Sequence, residues 1–474
     1  MSTLNQIRLQ SLRNLRPTKS ELDSISTIFN TVKKAVKLEV EERGIDIAFI
    51  ELEGSSGRKQ TQLRNWKELD IFVGLPVSAQ PESLDRKVPS KSSIRRLLKK
   101  MVKDVAVSAA TQVQAEKIQI AYAEHPYLIA QIDDYQVEIV FCFDLTKEYI
   151  LKNGPITAVD RTPHHSNFVQ QNLTDRQRDD VRLLKAFFQS SFVYGDSSPI
   201  GRSGFTGFSA EMLIFHMQTI EAALEFLSQP EPEPLDFFNR ASDFLKTKFS
   251  HDFFIISDPI DPNRNIASSI SERAYRFSAH QAHHLLQHPT MKFFERQPVP
   301  QLQDSELELL EPHYFVIEFH DQTGWHYTKT RDKIYRYFSK LSRFLKQEPT
   351  GEPRFGQVIF EELFHEDIFA VALYIENVEI SKSYIRIGPS LDYLDGVKRF
   401  LEKHPNGFLK NGRYYIETKR EFVKAEQALR YFLSRNQISS KIVVSNISRC
   451  GTTRIGKQAL WILTQSVQPF IKSD

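Results

Sequence analysis

The chain has 474 residues, 41% hydrophobic and 26% charged, with a formal net charge of +3. The composition is that of a globular protein, and the length exceeds one core and implies three or four domains; so small a net charge leaves any nucleic-acid surface to local clustering. No run of about 18 apolar residues occurs, so no membrane span is expected, and two cysteines, Cys142 and Cys450, can build neither a disulfide framework nor a four-thiolate zinc site.

Met1 to Arg16 is polar and lacks the apolar segment of a signal peptide, which with the cysteine usage favours a reducing, cytoplasmic setting. Thr18 to Arg43 is expected to be helical: Thr18 and Glu21 form a capping-box pattern, Leu22, Ile25, Phe29, Val32 and Val36 recur at helical spacing, and Gly44 stops it. Ile45 to Glu53 follows as a strand that delivers the chain to Gly54-Ser55-Ser56-Gly57-Arg58. Small residues in such a turn let backbone N–H groups approach phosphate oxygens.

Fourteen residues beyond Gly54 comes Glu68-Leu69-Asp70. Side chains on a strand alternate, so two carboxylates separated by one apolar residue share a face. A Gly-Ser turn followed by that pair is equipment for a divalent cation and a nucleoside triphosphate. Two-metal chemistry needs a third anionic ligand, because ions about 3.5–4 Å apart repel each other. Ser92 to Val105 reads as a basic helix with a solvated face. Tyr127 to Ile132, Asp133-Asp134 and Tyr135 to Phe143 read as strand, turn and strand. Glu138 lies in that second strand among Val137, Ile139, Val140 and Phe141, where an acid is costly unless a cation or donor neutralises it. Glu138 is therefore the third carboxylate, in preference to the turn residues Asp133 and Asp134. Cys142, on the same strand, is a small packing residue.

Beyond residue 150 several stretches concentrate polar chemistry. His164 and His165 follow Asp160-Arg161-Thr162-Pro163, but no other His or Cys stands at ligand spacing, so His165 reads as a phosphate or base contact. Asp175 to Leu227 is mainly helical. Within it Arg182 and Lys185 either share a face toward an anion or are solvent-exposed helix cations, and Tyr194 follows in the exit loop. Gly204-Phe205-Thr206-Gly207-Phe208 opens an apolar helix, Ala210 to Ala222, with both phenylalanines expected in the core. Gln229 to Pro234 is a stiff proline-rich loop. Asp258 to Asn265 is a proline-braced loop whose Arg264 suits planar recognition of a base or phosphate. After a second proline-bearing joint at Gln297 to Pro300, His313 to His320 is strand-like and Asp332 to Lys346 is an amphipathic helix. That helix turns Ile334, Tyr337, Phe338, Leu341 and Leu345 to one side, and its cations interleaved with Tyr335 and Tyr337 would also suit RNA. Val358 to Ile375 and Ser381 to Ile387 look like sheet.

Together these segments resemble the archaeal-type (class I) CCA-adding enzymes, the tRNA nucleotidyltransferases. The resemblance rests on Gly54-Ser55 with Glu68-x-Asp70, then Tyr122-Ala123-Glu124-His125-Pro126-Tyr127, Val159-Asp160-Arg161-Thr162-Pro163, Val181-Arg182-Leu183-Leu184-Lys185 and Tyr194-Gly195. It continues through Gly204-Phe205-Thr206-Gly207, Asp258-Pro259-Ile260-Asp261 with Arg264-Asn265, and Ile387-Gly388-Pro389. It implies a multidomain α+β and α/β protein. Residues 1–150 would form a catalytic head with a mixed sheet and helices, 151–296 a helical, nucleotide-reading neck, 297–380 an RNA-binding body and 381–474 a tRNA-binding tail.

By the same resemblance Gly54, Ser55 and Arg58 would meet the triphosphate, and Glu68, Asp70 and Glu138 would hold Mg²⁺ and carry catalysis. His165, Lys185 and Tyr194 would line the nucleotide pocket, and Arg264 would help read the base. The expected reaction is Mg-dependent addition of CMP and AMP, from CTP and ATP, to a tRNA 3′ end, by a cytoplasmic and dimeric enzyme. The chain departs from the family pattern in having Glu138 where aspartate is usual, Glu53 before Gly54, and one extra residue between Arg58 and Glu68. The alternatives are an impaired paralogue that binds RNA, or a nucleotidyltransferase with another RNA or nucleotide acceptor.

Overall fold

Thr18 caps the long helix Lys19–Glu42 through the expected box: the Glu21 N–H donates to Thr18 Oγ1 at 3.2 Å, and the Thr18 N–H donates to Glu21 Oε2 at 2.7 Å. Gly44, at φ +59°, turns the chain out of it. The buried face is Ile25, Ile28, Val32, Ala35, Val36 and Val40, whereas Leu22 is 44% exposed and Phe29 only half-buried, a rotation of the expected stripe. Replacing Thr18 with alanine should cost about 1 kcal/mol, read as a lower denaturant midpoint at unchanged m-value.

In this computed structural model, residues 3–76, 90–122, 125–201, 203–307, 310 and 312–470 are described. Ala123 and Glu124, part of one family-like motif, lie outside them. The chain divides into Met1–Asp196 with Ser203–Gln297, and Ser197–Arg202 with Pro298–Asp474.

The first unit contains a mixed five-stranded sheet in the order β1-β2-β5-β4-β3: β1 Phe49–Glu53, β2 Glu68–Pro76, β3 Glu116–Tyr122, β4 Pro126–Ile132 and β5 Tyr135–Asp144. β2 and β5 are parallel, and the other pairs are antiparallel. Period-two alternation splits β2 and β5 into two faces. Leu69, Ile71 and Val73 with Val137, Ile139 and Phe141 are almost wholly excluded from solvent. The Lys19–Glu42 helix and the continuous helical stretch 91–112 pack on this sheet. The opposite face carries Phe72, Val140 and Cys142, packed by Phe49, Tyr127 and Val159. The carboxylates stand farther along that second face. The rest of the unit is mainly helical, with Thr162–Asn172, Asp175–Ser190, Gly207–Met217, Ile220–Leu227 and Glu272–Gln287 as its principal helices. The apolar helix expected over 210–222 is two helices, because Gln218 adopts φ +70° between them.

The second unit holds a four-stranded antiparallel sheet, β12-β6-β8-β7, and a three-stranded sheet, β10-β11-β9. Their strands are β6 Tyr314–Asp321, β7 Val358–His365, β8 Ile368–Ile375, β9 Ser383–Ser390, β10 Phe408–Lys410, β11 Arg413–Lys419 and β12 Ile442–Ser448. The Tyr327–Lys346 helix buries Ile334, Tyr337, Phe338, Leu341 and Leu345, the apolar side expected from spacing. Tyr337 is drawn into the core of this unit, and Tyr335 packs partly against it. Tyr337 is 9% exposed and donates its hydroxyl to Asn436 O at 2.9 Å, and the Tyr335 ring packs on Phe360 with centroids 5.3 Å apart.

Candidate active site

Parallel pairing of β2 with β5 sets Asp70 directly beside Glu138. Glu68, two residues before Asp70, projects from the same face. Glu68 is at the exposed rim, while Asp70 and Glu138 are half-buried. Gln136 Nε2 donates to Glu138 Oε1 at 3.1 Å and orients it. Loss of solvent raises the carboxyl pKa of all three; at Glu68 the Asp70 charge adds to it, and at Glu138 the charges of Asp70 and Glu68 do. Glu138 is pushed up to about 8. Lys59 is the cation that acts against this rise at Asp70.

Acids crowded on one face with so little basic compensation are a donor set suited to a hard divalent cation, which binds through oxygen ligands. Among the described residues no three acidic, histidine or cysteine side chains close on a single point, so a cation would have to draw these carboxylates inward.

The Gly-Ser turn is shaped by the carboxylate beneath it. Gly54 has φ +66°, and a Cβ there would lie 2.0 Å from Asp70 Oδ2. Gly57 is equally constrained, since its Cβ would lie 2.0 Å from Leu52 O. Ser55 sits half-buried at the turn and accepts from the Thr61 N–H through its carbonyl at 3.1 Å. Ser56 Oγ donates to Glu68 O at 3.2 Å, tying the turn to the start of β2. Gly54→Ala should therefore displace Asp70 and lower turnover about 100-fold, with the far-UV spectrum unchanged. Retained wild-type turnover would show that Asp70 need not stay where it is.

Arg58 points away from the turn's open side. Its Nη2 donates to Glu53 Oε1 at 2.5 Å and stands 2.6 Å from Glu51 Oε2, while Nη1 donates to Asn167 Oδ1 at 2.6 Å. Glu53 is fully buried, and burial raises its pKa despite Ser166 and Arg58. The glutamate before Gly54 is thus answered by the arginine expected to meet the triphosphate.

Arg182 and Lys185 fit neither reading of a helix pair. Both are buried in the Asp175–Ser190 helix and grip the chain that leaves the Gly-Ser turn. Arg182 Nε donates to Gln62 O at 3.0 Å and Nη2 to Gln60 O at 2.5 Å, while Nη1 pairs with Asp179 at 2.8 Å. Lys185 Nζ donates to the Thr61 carbonyl and hydroxyl, both at 3.0 Å. Glu211, buried in the Gly207–Met217 helix, accepts from Lys59 at 2.9 Å and from Thr61 Oγ1 at 2.6 Å, and lies 3.5 Å from Lys185. Burial pushes Lys185 down to about 8 although Glu211 pulls the other way. Gly207 sits where a Cβ would be 3.3 Å from both Lys185 Nζ and the Tyr194 hydroxyl, so both side chains pack over this glycine. Burial first, then the charges of Glu211 and Glu68, raises the Tyr194 phenol.

His165 is buried, with Nε2 2.9 Å from both oxygens of Asp258. Arg264 Nη1 donates to Asp258 Oδ2 at 2.9 Å, with the side chain 36% exposed. Burial drops His165 to about 4 although Asp258 pulls the other way, while His165, then Arg264 and the Ile260 N–H, hold the Asp258 carboxyl low against its own burial. Phe208 is not simply core: its ring lies 4.1 Å from that of His165, with Lys59 Nζ 4.6 Å from its centroid. Phe205 is core, stacked 3.9 Å from Phe188.

The structure thus brings Glu68, Asp70 and Glu138 to one face under Gly54 and Ser55, sets Lys185 and Tyr194 over Gly207, and ties His165 to Arg264 through Asp258. Lys59, Thr61 and Glu211 escaped the sequence reading, and Asp258 was read there only as part of its loop and motif. Glu211 carried the signal that singled out Glu138, an acid in an apolar run, here Ala210 and Met212 to Phe215.

Two sequence families match the chain: "tRNA nucleotidyltransferase, second domain" over residues 179–295, and "CCA-adding enzyme, C-terminal domain" over residues 355–450. The CCA-adding enzyme of Pyrobaculum aerophilum is 27% identical over 449 residues, covering 93% of this chain and 96% of that one. Its counterpart from Methanocaldococcus jannaschii is 27% identical over 431 residues, 89% of this chain and 88% of that one. Among solved structures, that of a cytoplasmic RNA terminal U-transferase aligns with TM-score 0.45 at 12% identity, covering 62% of this chain and 99% of the other. The two family matches and the near full-length relatives make the protein a nucleotidyltransferase. Within that class its near full-length relatives are archaeal CCA-adding enzymes, and the two matching family models are of the tRNA nucleotidyltransferase and CCA-adding types.

Proposed function

We propose that this protein completes tRNA 3′ ends with CMP and AMP taken from CTP and ATP, without a nucleic-acid template. The single observation that carries this reading is the side-by-side placement of Asp70 and Glu138 on parallel strands, directly beneath the Gly-Ser turn. Glu68, Asp70 and Glu138 are the residues that would hold Mg²⁺, which when bound would supply activation of the terminal hydroxyl and charge neutralisation at the departing pyrophosphate. The backbone at Gly54 and Ser55 orients the triphosphate. Lys185 and Tyr194 bound the pocket through the arm at Thr61, and the His165–Asp258–Arg264 set reads the base with a guanidinium held at fixed geometry. Arg58 acts on phosphate only after leaving Glu53. Positioning of the hydroxyl and the α-phosphate supplies much of the rate.

Residues 1–150 are assigned to the catalytic head, 151–296 to the neck, 297–380 to the body and 381–474 to the tail, and the working enzyme to a cytoplasmic homodimer. No described helix is long and apolar enough to cross a membrane. The test is incubation with a tRNA lacking CCA, all four nucleoside triphosphates and Mg²⁺, followed by sequencing of the 3′ ends. Ordered C-C-A addition is expected; intact tRNA binding with no incorporation would mark a non-catalytic RNA-binding paralogue. Light scattering at 55.0 kDa, the mass of one chain, would rule out the dimer.

A further inference from the structure

Away from the carboxylates, the Glu272–Gln287 helix carries His280, His283 and His284, and His288 caps its C-terminal end. All four are exposed. Residues four apart lie one above the other on a helix, so His280, His284 and His288 form a stripe of three imidazoles, with His283 to one side. The His284 and His288 rings have centroids 5.4 Å apart at 67°. Two imidazoles sharing one tetrahedral ion, each with its nitrogen about 2.1 Å away, place their centroids roughly 5 Å apart. The spacing of the two rings therefore matches that of a chelating pair.

Two further features favour a cation at this point. The edge of Phe293 packs on His284 with centroids 5.5 Å apart at 72°, and Ser190 Oγ donates to Phe293 O at 2.6 Å, so one ligand ring is braced by the fold. The site also lies at the negative pole of a helix of 16 residues, whose last carbonyls attract positive charge. Nitrogen donors suit borderline-soft transition ions, whereas Mg²⁺ prefers oxygen. Among the described residues no third ligand closes on the same point, so water completes the coordination.

We propose that His284 and His288 form a two-imidazole binding site for a divalent transition ion of the Zn²⁺ class, separate from the carboxylate site. Zn²⁺ is titrated calorimetrically into the full-length protein with Mg²⁺ in excess, to occupy the oxygen ligands. One Zn²⁺ site is expected, weakened at least about tenfold in both His284→Ala and His288→Ala and unchanged in His283→Ala. With Cu²⁺ as probe, the electron paramagnetic resonance spectrum should show coupling to two nitrogens, reduced to one in His284→Ala. Zn²⁺ binding equal in wild type and His284→Ala, or a Cu²⁺ spectrum without nitrogen coupling, overturns the proposal. All the variants replace exposed side chains, so folding does not confound the comparison.

Discussion

Glu138→Gln should lose nucleotide incorporation by about 10³-fold or more, because removing one anionic ligand from a two-cation site costs several kcal/mol of transition-state stabilisation. The same substitution should make the metal-free protein more stable at high pH. In the fold the Glu138 carboxyl keeps its proton up to about pH 8, against 4.5 for an ordinary glutamate, first because it is buried and then because Asp70 and Glu68 repel its charge. Between those values the folded chain holds the extra proton, so stability falls as pH climbs through the window. The penalty is absent below the lower value and complete above the upper one. Glutamine carries no charge to desolvate. Its thermal midpoint should match wild type near pH 5 and exceed it above pH 8, by roughly 2 kcal/mol after discounting for solvent screening. Equal midpoints at both pH values would mean that Glu138 ionises freely and does not belong to the cluster. Glu138→Asp sharpens the point. The Gln136 hydrogen bond already orients the longer carboxylate, so shortening it should not raise activity.

How much of this was legible beforehand follows from the range of the forces involved. The carboxylate face was readable because alternation is a property of the strand itself, and neither Glu68 nor Asp70 needed a partner to be placed. Glu138 needed only the inference that a lone acid in an apolar strand wants neutralisation. The edge strand β3 was missed although Ile118, Ile120 and Tyr122 alternate, because it is short and largely exposed, with Lys117 at φ +48° and a register shift between Glu116 and Gln119; pairing with β4 makes it a strand. The helix expected from Asp332 starts at Tyr327 because Thr330, wholly buried, donates its hydroxyl to Asp321 at 2.6 Å, a tertiary bond that no periodicity announces. Arg58, Arg182 and Lys185 were recognised as basic residues near a phosphate site. Their long-range partners were invisible, since no periodicity links segments so far apart in the chain: Asn167 for Arg58, and Gln60 to Gln62 for the other two.

That last group sets the second large effect. Glu211 stands between two buried ammonium groups, Lys59 at 2.9 Å and Lys185 at 3.5 Å, and is itself 1% exposed. Burial alone would raise its pKa, but Lys59 and Lys185 reverse this and keep it ionised. Glu211→Ala would leave two cations without their counter-charge in the interior and should destabilise the fold by about 3–5 kcal/mol, read from the denaturant midpoint. The triple replacement Lys59→Met, Lys185→Met and Glu211→Met removes every charge of the set and fills similar volume, so most of the stability should return. Activity should not. Lys185 fixes the Thr61 carbonyl, and Lys59 is the cation that tempers Asp70. A triple variant that regains both stability and wild-type KM for CTP and ATP would show that the buried charges serve only the fold. One that regains stability while KM rises and kcat falls places them in the nucleotide pocket. The second outcome is the expected one, because the arm they hold is the continuation of the Gly-Ser turn above Asp70.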